Sequence, residues 1–169
     1  MQHVVRVETL VSVIPTAVVR RRANQRDLAK VVPEACGIVW RALRAGQVQG
    51  AGRHVAFYLD GQINLEVGVE LAAPLPGDAN LSDAVIASAL PVGTVAATTH
   101  LGPYPQLHHA HVAILGWCTA HGYTRARPNW EIYGHWEDAW NADSQIRTDV
   151  YYLLKSIATS ALVPLPAQS

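Results

Sequence analysis

The run Arg53-His54-Val55-Ala56-Phe57-Tyr58-Leu59-Asp60-Gly61-Gln62-Ile63-Asn64-Leu65-Glu66-Val67-Gly68-Val69-Glu70-Leu71 reads as strand, turn, strand. Asp60-Gly61 is a strong hairpin signal, because a tight turn needs residues that tolerate positive φ. Upstream, from Arg26 to Ala45, apolar residues recur at helical spacing: Leu28, Val32, Ala35, Val39 and Leu43. Asn24 is placed to cap this helix and Gly46 to stop it. Pro33 has no N–H to donate, so the regular helix is expected to start near Val32 or to kink there. Still earlier, Val4 to Val11 is rich in β-branched residues. Pro15 breaks that strand, and Thr16 to Arg22 reads as its partner. The unit is ββαββ.

After a linker of Pro74, Pro76, Gly77 and Asp78, the pattern starts again. Ala84 to Leu90 and Thr94 to His100 read as strands around Pro91-Val92-Gly93. Pro103 to His121 reads as a helix, with Leu107, Ala110, Ile114 and Cys118 on one face and Gly122 at its end. Asn129 to Trp136 and Ile146 to Leu154 close the unit. Local matches support a duplication: Phe57-Tyr58 with Ile132-Tyr133, Glu66-Val67 with Asp149-Val150, and Trp40 with Trp117. The expected fold is therefore α+β: duplicated ββαββ units related by pseudo-twofold symmetry, an antiparallel sheet with two helices on one side, and a ligand cleft between the halves. It forms a single domain over 1–155, with repeats at 3–72 and 83–154, and 156–169 is a C-terminal tail.

The 169 residues are half hydrophobic and carry no formal net charge. Direct nucleic-acid binding is not expected, because such affinity comes mostly from a basic face. The densest basic run, Arg20-Arg21-Arg22 with Arg26 nearby, reads as a solvated strand end rather than a phosphate patch. No run approaches the ~20 apolar residues of a membrane span, so a cytoplasmic protein is expected. Cys36 and Cys118 sit in apolar helical patterns and read as buried, reduced thiols rather than a disulfide. His108, His109 and His111 cluster on the second helix, with His100 and His121 nearby. There is no HExxH and no zinc-ligand spacing, so these read as a partly exposed cluster, with neither metal nor cofactor expected. Cys118 and His121 lack the helix-N-terminal setting that activates a thiolate. Gly50-Ala51-Gly52 lacks the strand-before, helix-after context of a phosphate loop.

The chemistry concentrates in Trp130-Glu131-Ile132-Tyr133-Gly134-His135-Trp136, with Trp140 close behind; three of the five tryptophans lie here. A carboxylate among rings is costly to desolvate unless something pairs with it. Strand alternation puts Glu131 and Tyr133 on one face and Trp130 and Ile132 on the other. Through the repeat, Tyr58 joins Tyr133 on the cleft side, while Phe57 and Ile132 pack under the helices. Tyr151 is assigned to the cleft, and Val150 and Tyr152 to the other face. The plainer alternative for Glu131 is a strand carboxylate facing water or paired with Arg147. Trp40 and Trp117 read as core residues. Trp136 and Trp140 lie in a loop, where exposed aromatics signify binding.

Four segments carry a family resemblance: His100-Leu101-Gly102-Pro103-Tyr104, the helix ending near Trp117 and Gly122, the strand Glu131-Ile132-Tyr133, and the strand Arg147-Thr148-Asp149-Val150. With the Asp60-Gly61 hairpin and Leu65-Glu66-Val67-Gly68-Val69, they make the chain resemble the GyrI-like small-molecule-binding domain, which is also the effector-binding half of AraC-type and MerR-type multidrug regulators. The resemblance implies a buried glutamate, matched by Glu131, in an aromatic pocket that takes cationic or aromatic ligands. Its ligand-binding residues would be Glu131, Tyr58, Tyr104, Tyr133, Trp136, Trp140 and Tyr151. The chain has no room for a helix-turn-helix, so the resemblance implies a stand-alone member that captures an aromatic small molecule for detoxification or self-resistance, or that meets a protein partner such as gyrase. Some stand-alone relatives resemble hydrolases that open the cyclopropane of DNA-alkylating natural products. Under that alternative Glu131 would activate water, and Tyr133 or Tyr58 would stabilise the developing charge. Under either function, the Trp-rich segment from His135 to Ser144, between the last two strands, would lid the cleft.

Overall fold

The computed structural model describes residues 2–61, 64–77, 79, 81–82, 84–134 and 146–155. The expected lid from His135 to Ser144, with Trp136 and Trp140, and the tail from 156 lie outside the described residues. The elements run β1 (Arg6–Leu10), β2 (Ile14–Arg22), α1 (Leu28–Ala45), β3 (Ala51–Tyr58), β4 (Asn64–Leu71), β5 (Ile86–Leu90), β6 (Gly93–Leu101), a 3-10 turn (Tyr104–Gln106), α2 (His108–Ala120), β7 (Arg125–Tyr133) and β8 (Arg147–Leu154). The order ββαββ thus occurs twice, and the fold is α+β.

All eight strands join one antiparallel sheet in the order β1-β6-β8-β7-β3-β4-β2-β5. This corrects two expected pairings. β1 does not pair with β2, nor β5 with β6. β1 runs along β6, and β5 runs along β2, so each unit lends its first strand to the other unit's edge. The links, residues 11–13 and 91–92, are of hairpin length, so loop length does not forbid the expected pairing; the strands are instead drawn to partners distant in sequence. The two units meet through β3 and β7, in a register that sets Ala56 opposite Glu131 and Tyr58 opposite Asn129.

Both helices cover the same face of the sheet. α1 buries Ala35, Val39 and Leu43 against Val19, Val67 and Val69. α2 buries Ala110, Ile114 and Cys118 against Ala96, Val150 and Leu154. Each fully buried Val, Leu or Ile side chain contributes about 1.5–3 kcal/mol. α1 lies chiefly over β4 and β2, and α2 chiefly over β6. The central strands are therefore only lightly covered by either helix. On the opposite face Val55, Phe57, Val95, Trp130 and Ile132 make a third apolar cluster that includes no helical residue. Phe57 and Ile132, expected under the helices, lie on this helix-free side. Alternation sorted the residues into the right two sets but assigned the helices to the wrong one.

Local details also differ from the sequence reading. α1 starts at Leu28 and runs through Pro33 without a break in assignment. Asn24 caps the preceding turn, accepting from the Asp27 N–H at 3.1 Å, rather than the helix. The positive φ after α1 is taken by Gln47, at 56°, and not by Gly46. β7 begins at Arg125, four residues before the expected start at Asn129. Its pairing with β8 shifts register between Arg125 and Asn129, where Pro128 has no N–H for the ladder. Gly68 is demanded by packing: a Cβ there would meet the Ala17 carbonyl and lie 2.8 Å from the Val18 Cα, where backbone cannot yield.

Candidate functional site

Ladder register fixes the face of each residue. Glu131 is opposite Ala56 on β3 and Val150 on β8, and directly opposed residues of antiparallel strands share a face. Tyr58, Asn129, Glu131, Tyr133, Thr148, Val150 and Tyr152 therefore all stand on the helix side. Tyr133 packs against both the α1 cluster and the α2 cluster, which puts it in the seam between the helices.

Glu131 is only 4 % exposed. Its Oε1 accepts from His111 Nε2 at 2.7 Å, across from α2. Its Oε2 accepts from the Tyr58 hydroxyl at 3.3 Å and from the Tyr133 hydroxyl. A carboxylate with three donors is compensated for its removal from water. Burial, then the Glu131 charge, holds the Tyr58 and Tyr133 hydroxyls well above the ordinary phenol range, so both remain protonated donors. His111 Nδ1 meets the Tyr152 hydroxyl at 2.7 Å. Burial pushes that phenol up to about 12. Tyr104, 48 % exposed, stands edge-on to Tyr133 with ring centroids 5.8 Å apart, at the solvent side of the seam. Two buried polar atoms on this face have no hydrogen-bond partner among the described residues: Asn129 Nδ2, beside Tyr58, and Thr148 Oγ1, beside Tyr133.

Of the expected site residues, the structure brings Glu131, Tyr58, Tyr133 and Tyr104 together. Tyr151 it places on the helix-free face, stacked on Trp130 at 5.5 Å. Tyr152 takes the place expected for Tyr151, because the Glu131–Val150 register puts even-numbered β8 residues beside the carboxylate. The alternative of Glu131 facing water or paired with Arg147 fails: Arg147 reaches Asp149 instead, at 3.1 Å. His111 was read as part of a partly exposed cluster, and its contact with Glu131 was not foreseen. The signal that would have found it is helical phase, since it falls between Leu107 and the buried pair Ile114 and Cys118. Trp40, expected in the core, is 41 % exposed, and Trp117 is partly buried, stacked on His121 and Tyr123.

The rings close over the carboxylate instead of leaving an open cleft around it. Of two hollows lined by described residues, neither includes Glu131. One of about 310 Å³ lies on the helix-free side between Leu10, Ile14, Leu90, Trp130, Ile132 and Tyr151. The other, about 500 Å³, is open and lies among Arg20, Arg21, Arg22, Leu59, Asp60 and Asn64. Arg20 also pairs with Glu66 at 3.2 Å. The helix-free side buries two further carboxylates: Glu66, met by the Ser88 hydroxyl and the Arg20 guanidinium, and Asp149, met by the Thr99 hydroxyl and the guanidinium groups of Arg147 and Arg53. These are the Glu66 and Asp149 matched in the sequence. Among the described residues, no group of His, Cys, Asp or Glu side chains is placed to hold a metal ion. No described helix is long and apolar enough to cross a membrane.

The fold recurs in solved structures of low sequence identity. The EcmrR C-terminal domain superposes with a TM-score of 0.73 at 16% identity, over 92% of this chain and 99% of that one. SAV2435, solved bound to tetraphenylphosphonium, gives 0.59 at 8% identity, over 92% and 95%. A hydrolase from Listeria innocua gives 0.57 at 9% identity, over 89% and 91%. No curated protein sequence matches the chain. The sequence pattern of the GyrI-like small molecule binding domain matches residues 57–155, from the end of β3 through β8 and so across Tyr58, His111, Glu131 and Tyr152; the chain belongs to that family.

Proposed function

We propose that this protein captures a flat aromatic or cationic small molecule against Glu131, in the seam between α1 and α2, and that the capture serves detoxification or self-resistance. The observation that carries the reading is a carboxylate 4 % exposed, ringed by Tyr58, Tyr133 and His111 on the lightly covered centre of the sheet. Buried charge in an aromatic surround is suited to a delocalised cation, which gives up little hydration and gains from both the charge and the ring faces. The ligand enters by displacing the exposed Tyr104 ring from Tyr133. Asn129 Nδ2 and Thr148 Oγ1 then offer polar contacts on either side of Glu131. Trp136 and Trp140 are proposed as further walls from the segment that follows β7. The tetraphenylphosphonium held by SAV2435, a protein of the same fold, makes that cation the natural first probe.

Hydrolysis with Glu131 as base and Tyr133 or Tyr58 as stabilising donors has less support. Three donors already hold the carboxylate, which leaves a single acceptor site, on Oε1, to orient a water. The test is calorimetric titration with tetraphenylphosphonium and planar cationic dyes, with mass spectrometry of the recovered compound. Micromolar binding, weakened at least about tenfold by Glu131→Gln (about 1.4 kcal/mol), is expected, with the compound recovered unchanged. Equal affinity in the variant overturns the reading.

A further inference from the structure

Glu131 is not a bare anion. Its Oε1 lies 2.7 Å from His111 Nε2, within the range of charge-assisted hydrogen bonds. The other ring nitrogen, Nδ1, lies 2.7 Å from the Tyr152 hydroxyl. A hydroxyl both donates and accepts. When the imidazole is neutral, Nε2–H donates to Glu131 and Nδ1 accepts from Tyr152. When it is protonated, Nδ1–H donates to Tyr152, whose hydroxyl turns to accept. Both states keep every hydrogen bond with the heavy atoms in place. The tyrosines cannot share this role, because burial keeps the Tyr58, Tyr133 and Tyr152 hydroxyls protonated. His111 is thus the group through which one proton can enter or leave the site without rearrangement.

We propose that His111 sets the charge the site accepts. With a neutral imidazole, the carboxylate is an unbalanced anion and holds a monovalent cation. With an imidazolium, Glu131 and His111 neutralise each other, and an incoming cation meets a like charge. Uptake of a cation by the protonated form therefore releases the His111 proton: one positive charge enters the pair and one leaves. A neutral aromatic ligand carries no such requirement. The inference rests on the reading of Glu131 as a cation-holding residue and names what selects among its ligands.

The groups that face His111 allow this exchange. β7 supplies Glu131 and Tyr133, β3 supplies Tyr58, and β8 supplies Tyr152. Arg125 of β7 sits over the Tyr152 ring, 5.8 Å from its centroid, as a fixed positive charge beyond the phenol. His100 of β6 is within electrostatic reach of His111, as it is of His108 and His109. From α1, Cys36 acts on Tyr104 and stays a neutral thiol, since burial pushes it up to about 12. Among the described residues, Glu131 is the only carboxylate bonded to His111.

The test compares tetraphenylphosphonium with neutral triphenylphosphine oxide, titrated by calorimetry from pH 8.5 to 5.5. Imidazoles titrate within this window, near about 6.5. In the wild type, cation affinity is expected to fall by up to tenfold per pH unit at the acid end, with close to one proton released per cation, read from buffers of different ionisation enthalpy. Affinity for the phosphine oxide stays constant. In His111→Gln, and in His111→Asn as a second variant, cation affinity varies less than threefold over the same range, with folding checked by circular dichroism. Cation binding independent of pH in the wild type, or an unchanged slope in both variants, overturns the role of His111 and leaves the binding reading standing. Absence of cation binding at every pH defeats the binding reading and this inference together.

Discussion

The pairing of Glu131 with His111 is open to direct measurement by a double-mutant cycle in stability. The perturbations are Glu131→Leu, His111→Leu and the double replacement. The two side chains are 6 % and 12 % exposed, so solvent screening is slight, and the atoms are 2.7 Å apart. Removing Glu131 alone strands three donors: His111 Nε2, Tyr58 and Tyr133. Removing His111 alone takes one of three donors from a buried charge. Removing both leaves neither fault at this pair, although the two tyrosines still lack their acceptor. The cycle subtracts that shared loss. What remains is the energy of one charge-assisted hydrogen bond, about 1.5–3 kcal/mol. With a urea slope of about 1–3 kcal/mol per molar, a coupling of ~2 kcal/mol appears as a non-additivity of about 1 M in the midpoint. In melting temperature it is about 4–8 °C for a chain of this length. Equilibrium unfolding of the four proteins at pH 7 gives the answer. A coupling below about 0.5 kcal/mol would mean that the pair does not form in solution, and the argument from His111 would fall with it.

Two further outcomes test the faces of the sheet and its charge. Trp130 is 1 % exposed between Phe57 and Tyr151 on the helix-free side, so Trp130→Ala should cost about 3–5 kcal/mol in urea unfolding; a loss under 1 kcal/mol would contradict the packing. His3 and His100 stack with ring centroids 5.3 Å apart, and burial, then neighbouring histidines for His3, lowers both below the ordinary range. Both stay neutral in the fold while the unfolded chain takes up protons below about pH 6.5. Their contribution is therefore complete above that value and is lost as the pH falls toward their depressed folded values. Thermal melts from pH 7.5 to 5 should show a declining midpoint that His3→Gln makes shallower; an identical slope in that variant would refute the assignment.

Much of this was legible in the sequence, for physical reasons that can be named. Period-two alternation and the Asp60-Gly61 turn locate strands because they are local signals, and so does the 3.6 period of Ala35, Val39 and Leu43. The same alternation made Glu131, Tyr133 and Tyr58 companions. What alternation cannot supply is a sign. It sorts residues into two sets without saying which set the helices cover, and so Phe57 and Ile132 went to the wrong side and Tyr151 was taken for Tyr152. The exchange of β1 and β5 was hidden for another reason. Each pairs across a large sequence separation, and the energy that selects β6 over β2 as the neighbour of β1 lies in tertiary packing. His111 was missed through a prior that puts polar helical residues in water, although Leu107, Ile114 and Cys118 mark its phase.

The placement of the carboxylate follows from the topology. A sheet of eight strands is too broad for two helices to cover completely, and these two lie over β4 and β2 on one flank and over β6 on the other. The strip left between them is β7 with β3, bordered by β8, and side chains long enough to fill it are required: Tyr58 of β3, Tyr133 of β7 and Tyr152 of β8. Rings, unlike helix backbone, can turn aside by a change of side-chain torsions alone. A charge placed in that strip is kept dry by the rings around it. Neither unit makes such a place alone, since Tyr58 comes from the first and Glu131, Tyr152 and His111 from the second. The exchanged edge strands add the constraint that keeps the two units in register, for each unit completes the other's sheet. On this argument the joining of the units and the making of the site are one structural event.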